Sequence, residues 1–274
     1  MLFWLGLGIF AVFIAVAVTA PALAPHDPRL PVGRPLASPT REHPLGTNDL
    51  GQDVLSQTMH GARSSLVVAG AVTAVSTTLS WLVGLVAGFS RRAEWPLLAV
   101  TDLLLALPSL PLYLLVLTLA GASQRNLIAT LALLSWPAFA RVVRGVVIQT
   151  RSATYVEASR ALGARDRHLA LRHILPATLD VLPAKLVLTV RFAVFAEATL
   201  AFLGLGTADT VSWGTMLNWA FADPLLFARP VWAWLVLPPA LCIAALILAT
   251  VWVARALVDV RSGVATGARH ETGA

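Results

Sequence analysis

Four ionisable side chains stand where water is scarce. Asp102, Arg141, Arg144 and Glu197 lie in or beside long apolar runs of this 274-residue chain. A charge at the centre of a bilayer helix costs about 2.5–3.5 kcal/mol on insertion scales, so such residues are kept for pairing or for a wet path. Arg141 and Arg144 occupy adjacent turns on one face. Either they snorkel to lipid headgroups, or one of them pairs with Asp102 and fastens two spans together. Glu197 serves equally well as a lining group of a wet path or as a structural polar tie. Arg191, one and a half turns earlier, falls on a different helical face from Glu197.

The remaining reactive residues do not converge on a catalytic set. His168 and His173 are five apart, which misses the i, i+4 geometry of a helical zinc motif. His26, His43 and His60 are spread along one polar segment, where they are either contacts for a metal or ordinary loop histidines. Cys242 is the only cysteine, so it forms no disulfide within the chain and reads as a small hydrophobe. The only lysine, Lys185, follows Ala184, whereas a phosphate-binding G-x-x-x-x-G-K-[ST] loop needs glycine there. No catalytic, cofactor or resident metal residue is assigned.

The elements that position these residues are membrane helices. Hydrophobic residues make up 57% of the chain, charged residues only 12%, and the mean hydropathy is +0.76. Soluble domains carry roughly a quarter charged residues. The formal net charge of +6 is almost all arginine. Without an RNA- or DNA-binding motif it records membrane topology rather than nucleic-acid binding.

The first apolar run, from Met1 to Ala24, has an Ala-Leu-Ala end resembling a signal cleavage site. It lacks a basic n-region and is longer than a usual signal core, which favours an uncleaved span. Further spans are predicted over 64–89, 95–120, 127–150, 181–203 and 231–254, six in all. Pro108 and Pro111 are expected to bend the third. One set of span ends carries eleven Arg and Lys residues and the other six. The richer side is therefore expected to be cytoplasmic, with both termini inside. The organisation read from this pattern is an N-terminal helix and extracytoplasmic segment (1–63), a transmembrane domain (64–258) and a cytoplasmic tail (259–274).

Between the fourth and fifth spans lies the polar stretch "EASRALGARDRHLALRHILPATL", beginning at Glu157. Thr154 is placed to cap a short helix, with Glu157 reaching back in a capping box. Gly163 suits a left-handed helix end, Asp166 starts a second helical piece, and Pro176 prevents that piece running unchanged into the next span. Tyr155, Ala158 and Leu162 share one face, and Leu171, Ile174 and Leu175 make another apolar stripe. Exposed apolar stripes require a cover, either the membrane domain or a second protein.

This stretch resembles the signature of the inner-membrane permease subunits of binding-protein-dependent ABC importers, E-A-A, three residues, G, nine residues, I-x-L-P. Here it reads Glu157-Ala158-Ser159, three residues, Gly163, nine residues, His173-Ile174-Leu175-Pro176. Ser159 and His173 depart from the pattern. "HPLGTNDLGQDVLSQTMHGARSSL" from His43, "TDLLLALPSLPL" from Thr101, "WPAFARVVRG" from Trp136 and "AEATLAFLGLGTADTVSWGTMLNWA" from Ala196 are similar to segments of the DppC/OppC-like (peptide and nickel) branch, in the family's order. The N-terminus lacks the basic leader of many such relatives, consistent with a late start.

The resemblance implies an all-α permease of the type I importer architecture, with six transmembrane helices and a cytoplasmic coupling helix. Tyr155, Glu157, Ala158, Leu162, Gly163 and Pro176 would form the element that seats in a cleft of a separate ATPase. It further implies a related permease as heterodimer partner, two ABC ATPase domains that bind ATP and Mg, an extracytoplasmic solute-binding protein, and surrounding lipid. Di- or oligopeptide is the expected cargo, with nickel or a metal chelate as the alternative. A polytopic membrane enzyme would need a convergent catalytic set, which the sequence does not offer. The segment after the fifth span, with Gly204, Gly206, Gly214, Trp213 and Trp219, is expected to be a re-entrant or amphipathic element near the outer mouth, its tryptophans at the membrane interface.

Overall fold

The computed structural model describes residues 2–207 and 210–270, with side chains described up to 256. Thirteen α-helices follow one another, and no strand occurs among the described residues. They are α1 (Leu2–Leu23), α2 (Val54–Phe89), α3 (Arg91–Ala106), α4 (Ser109–Ala120), α5 (Gln124–Ser135), α6 (Pro137–Arg151), α7 (Thr154–Ala161), α8 (Asp166–Leu169), α9 (Leu175–Leu179), α10 (Leu182–Leu200), α11 (Trp213–Phe221), α12 (Trp232–Leu235) and α13 (Leu237–His270).

Among the described residues, five stretches are long and apolar enough to cross a membrane: Leu2–Leu23, Val54–Phe89, Gln124–Arg151, Leu182–Leu205 and Trp232–Ala256. The sixth expected span is a broken pair, α3 and α4, bent by 95°. Its break lies at Leu107, extended at φ −85°, ψ 138°, directly before Pro108. Proline disfavours helical backbone in the residue that precedes it, so the bend expected from composition has a local cause. The final four residues of the predicted tail, 271–274, lie outside the described residues, whereas α13 carries the chain helically to His270.

The second span starts ten residues before the expected boundary at 64, at Val54. Asp53 caps it, accepting from the backbone N–H of Ser56 at 2.8 Å. Hydropathy alone misses this first part because Ser56, Gln57, Thr58, His60 and Arg63 dilute it. The helix is 36 residues long, about 54 Å at 1.5 Å per residue. It is the central post, packed against α1, α5, α6 and α10.

Small residues at four-residue spacing let it pack closely. Ser76, Ser80, Gly84 and Gly88 line the side of α2 that meets α5 and α6. A methyl at Gly84 would stand 2.6 Å from the Ala140 carbonyl oxygen and the Val143 Cβ; one at Gly88 would stand 2.6 Å from the Val147 Cβ. Polar groups on the same line cross-link the spans. The Ser80 hydroxyl donates to the Trp136 carbonyl at 3.0 Å, and Ser135 donates to Ser76 at 2.9 Å. In lipid, where apolar burial drives little helix association, such close backbone approach and interhelical hydrogen bonds hold a bundle together.

Candidate functional site

The polar stretch at Glu157 folds into two helical pieces around a tight turn. α7 ends at Ala161 with Leu162 as its C-cap, and Gly163 follows with φ +89°. The Ala164 N–H donates to the Ser159 carbonyl at 3.1 Å and the Gly163 N–H to the Arg160 carbonyl at 2.9 Å. This pair of bonds is a Schellman ending, which glycine supplies without a Cβ penalty. Asp166 opens α8 as expected, and its carboxylate lies 3.8 Å from Arg160 across the turn.

The N-terminal cap differs from the expectation. Ala153, not Thr154, occupies the capping position, and no side chain bonds there. Thr154 already has helical backbone, so the predicted capping box with Glu157 does not form. Glu157 is exposed in the first turn, where a negative charge complements the helix dipole.

Pro176 also acts differently from a simple stop. The chain widens into a π turn over Ala170–Ile174 and continues through Pro176 in α9. A wider turn accommodates a residue with no N–H to donate. The break before the fifth span comes later, at Asp180–Val181.

One face of α7 is anchored and the other is free. Val156 is fully buried. Tyr155 and Ala158 are exposed, and Leu162 is 90% exposed. In the second stripe Ile174 is buried, Leu175 half-buried and Leu171 exposed. Tyr155 packs edge-on against His173, ring centres 5.5 Å apart, which fixes the turn between the two pieces. The anchor Val156 was not singled out from the sequence, although its place one residue from the exposed stripe was a usable signal.

A second unforeseen residue ties this site to the bundle. Arg151 ends α6 and donates from Nη1 to the carbonyls of Gly88 and Phe89, at 2.9 and 3.2 Å. Those carbonyls end α2, where the helix dipole favours a cation. The loop thus hangs from a joint between α2 and α6, the two helices whose close packing the glycines allow.

The intramembrane charges resolve into two ion pairs. Arg141 pairs with Asp102 and Arg144 with Glu94, so two bonds join α6 to α3. Glu197 is buried and accepts from the Ser65 hydroxyl at 3.0 Å, joining α10 to α2. Arg191 is exposed on α10. Lys185 is buried at the start of α10, its ammonium 5.1 Å from the centre of the Phe139 ring. It borders a cavity of about 480 Å³ whose other polar lining includes Ser109, Tyr113, Ser135 and Thr189. The cavity lies between the bent α3–α4 pair, the α5–α6 span and α10.

The segment beyond the fifth span turns at Gly204, φ +86°, and its tryptophan does not sit at a lipid interface as expected. Trp213 is fully buried, stacks edge-on with Phe13 and donates from its indole to the Thr58 carbonyl at 3.0 Å. Gly61 leaves room for it: an added Cβ would meet its ring at 2.8 Å. Ser212 and Thr215 cap α11 reciprocally, so this helix is wedged into the bundle. Trp219 is half-buried against the same core. Ala208 and Asp209, within the expected re-entrant stretch, lie outside the described residues.

Comparison with known proteins gives one consistent result. Residues 76–260 match the family described as binding-protein-dependent transport system inner membrane component. The chain is 35% identical to the dipeptide transport system permease protein DppC of Bacillus subtilis, over 78% of this chain and 68% of that one. It is 33% identical to the oligopeptide transport system permease protein OppC of the same organism, over 78% and 71%. With the di/tripeptide transport system permease protein DppC of Pseudomonas aeruginosa the identity is 34%, over 89% and 82%.

Proposed function

Because this chain belongs to the family of binding-protein-dependent inner-membrane transport components, we propose that it is one permease half of an ATP-driven peptide importer and that its α7–α8 turn receives the force. The observation that carries the reading is the exposed apolar face of Tyr155, Ala158 and Leu162 on a helix otherwise anchored by Val156. A partner cleft that covers this face grips a rigid peg. Any displacement of the peg reaches α2 and α6 together through Arg151.

In this reading ATP and Mg are bound by two ATPase domains on separate chains, and this subunit performs no covalent chemistry. A related permease completes the pathway, to which this chain contributes the cavity beside Lys185. An extracytoplasmic binding protein delivers di- or oligopeptide. The α7–α8 turn and both termini face the cytoplasm, following the arginine-rich span ends. ATP binding shifts the permease pair between inward and outward access because the ATPase dimer interacts unequally with the two forms.

The test uses Leu162→Asp and Gly163→Val in the full complex reconstituted in liposomes. A β-branched residue at φ +89° is strained by about 1–2 kcal/mol, and an aspartate places a charge in an apolar seat. Both are expected to lower ATP-driven peptide uptake severely while the membrane domain keeps its melting behaviour. The reading is overturned by variants that assemble with the ATPase and transport at the normal rate.

A further inference from the structure

Three side chains far apart in sequence meet on the segment between α1 and α2. His26 follows α1 by three residues, His43 lies midway along the connection, and Asp53 caps α2. One ligand-capable atom from each lies within 4.8 Å of the others. His43 Nδ1 is 3.1 Å from Asp53 Oδ1, and His26 Nδ1 is 4.0 Å from Asp53 Oδ2. The imidazole rings are 5.1 Å apart between centres.

The carboxylate is built in rather than flexible. Asp53 is fully buried, and its Oδ2 accepts from the Ser56 backbone N–H at 2.8 Å and the Ser56 hydroxyl at 2.7 Å. Ser56 in turn accepts from the His26 backbone N–H at 3.1 Å, which fixes the start of the segment. The His43 ring is wedged against Gly33 on its Nε2 side, and its backbone N–H donates to Thr40. These contacts orient the ligating groups from behind, as outer-shell partners do around metals.

One observation points beyond a hydrogen-bonded network. His26 Nδ1 is shut off from solvent and has no hydrogen-bond partner. A buried imidazole nitrogen without a partner is costly, yet this one lies next to a buried carboxylate. The separation of 4.0 Å is too long for a hydrogen bond and suits two atoms sharing one ion. Two ligands about 2.0–2.1 Å from a tetrahedral Zn²⁺ stand about 3.3 Å apart. The 3.1 Å pair already fits, and the other separations within the trio, up to 4.8 Å, close with about 1.5 Å of movement of His26. Its side chain is 31% exposed, so the ring has freedom on its solvent side to make that movement.

We propose that His26, His43 and Asp53 bind a divalent transition metal of the Zn²⁺ class, stapling the end of α1 to the start of α2. Imidazole and carboxylate together suit borderline cations of this kind. The ion takes the place of the proton between His43 and Asp53, and it gives the orphaned His26 nitrogen its partner. The role is structural: the ion closes the long α1–α2 connection at both ends. It is independent of which cargo the permease carries.

The experiment uses the untagged full-length protein, purified with its partners, stripped with a chelator and titrated with Zn²⁺ alone. One equivalent is expected to bind, and Co²⁺ in its place is expected to give the visible absorption of a tetrahedral nitrogen–oxygen site. His26→Asn leaves the buried Asp53–Ser56 pair intact and should weaken Zn²⁺ binding by more than about tenfold, with an unchanged elution profile. His43→Asn should do the same. The proposal is overturned if the stripped protein takes up no stoichiometric Zn²⁺. It is equally overturned if His26→Asn binds as tightly as the parent, which would place the ion elsewhere, such as at the His168–His173 pair.

Discussion

Gly84→Ala should destabilise this protein even though alanine is the better helix former. Gly84 lies within α2, where exchange for alanine gains about 1 kcal/mol of helix propensity when nothing opposes it. Here a methyl would stand 2.6 Å from the Ala140 carbonyl oxygen and from the Val143 Cβ, where ordinary contact begins at 3.4 Å. Neither neighbour is the end of a flexible side chain, so α2 and α6 must part locally by about 0.8 Å. Gaps of that size forfeit a quarter to a half of each dispersion contact, and overpacking of this kind costs about 1–3 kcal/mol. Rigid neighbours place the cost toward the upper end, for a net loss of about 1–2 kcal/mol.

Gly70→Ala is the control on the same helix. Nothing stands within 4 Å of a methyl there, so that variant should gain up to about 1 kcal/mol. Denaturant unfolding of the purified protein in detergent, followed by its tryptophan fluorescence, measures both. Opposite signs are expected. Gly84→Ala proving as stable as Gly70→Ala would refute the close-packing account of the α2–α6 joint, and with it the route by which the α7–α8 turn is held.

Two further outcomes follow from the contacts. Asp102→Arg and Arg141→Asp should each reduce the yield of assembled protein, and the double exchange should restore it; Arg144 cannot substitute because Glu94 engages it. The pair is half exposed within the chain, so the coupling read from the double-mutant cycle should be about 1 kcal/mol, and no recovery in the double variant refutes the fastening role. Trp213→Phe keeps the ring contact with Phe13 but deletes the hydrogen bond to the Thr58 carbonyl, and should cost about 1–3 kcal/mol in the same unfolding assay. A change below about 0.5 kcal/mol would mean that Trp213 only fills space.

Much of the architecture depends on signals that are local in sequence. The length of an apolar run against the bilayer thickness, a proline that bars helical backbone at the preceding residue, and a glycine that alone accepts φ near +90° each act over a few residues. The spans, the break before Pro108 and the turn at Gly163 were therefore legible. So was the shared face of Tyr155, Ala158 and Leu162, because a 3.6-residue period assigns residues to one side of a helix; which way that face turns was not, since the period says nothing of what lies opposite.

Tertiary structure decided the matters that depend on which faces meet. Thr154 had the composition of a cap, yet the helix already includes it, with Val156 turned into the bundle. Trp213 had the composition of an interface residue, yet the gap at Gly61 took it inside. Nothing in the sequence selects Asp102 for Arg141 while assigning Glu94 to Arg144, or brings His26 beside Asp53 across 27 residues. Those choices follow from the crossing of whole helices, and the crossing is set by many weak contacts summed along α2. Local chemistry thus settled which segments are long and apolar enough to cross the membrane and where a glycine or proline turns the chain; only their mutual packing settled the remaining helix ends and which side chains became partners.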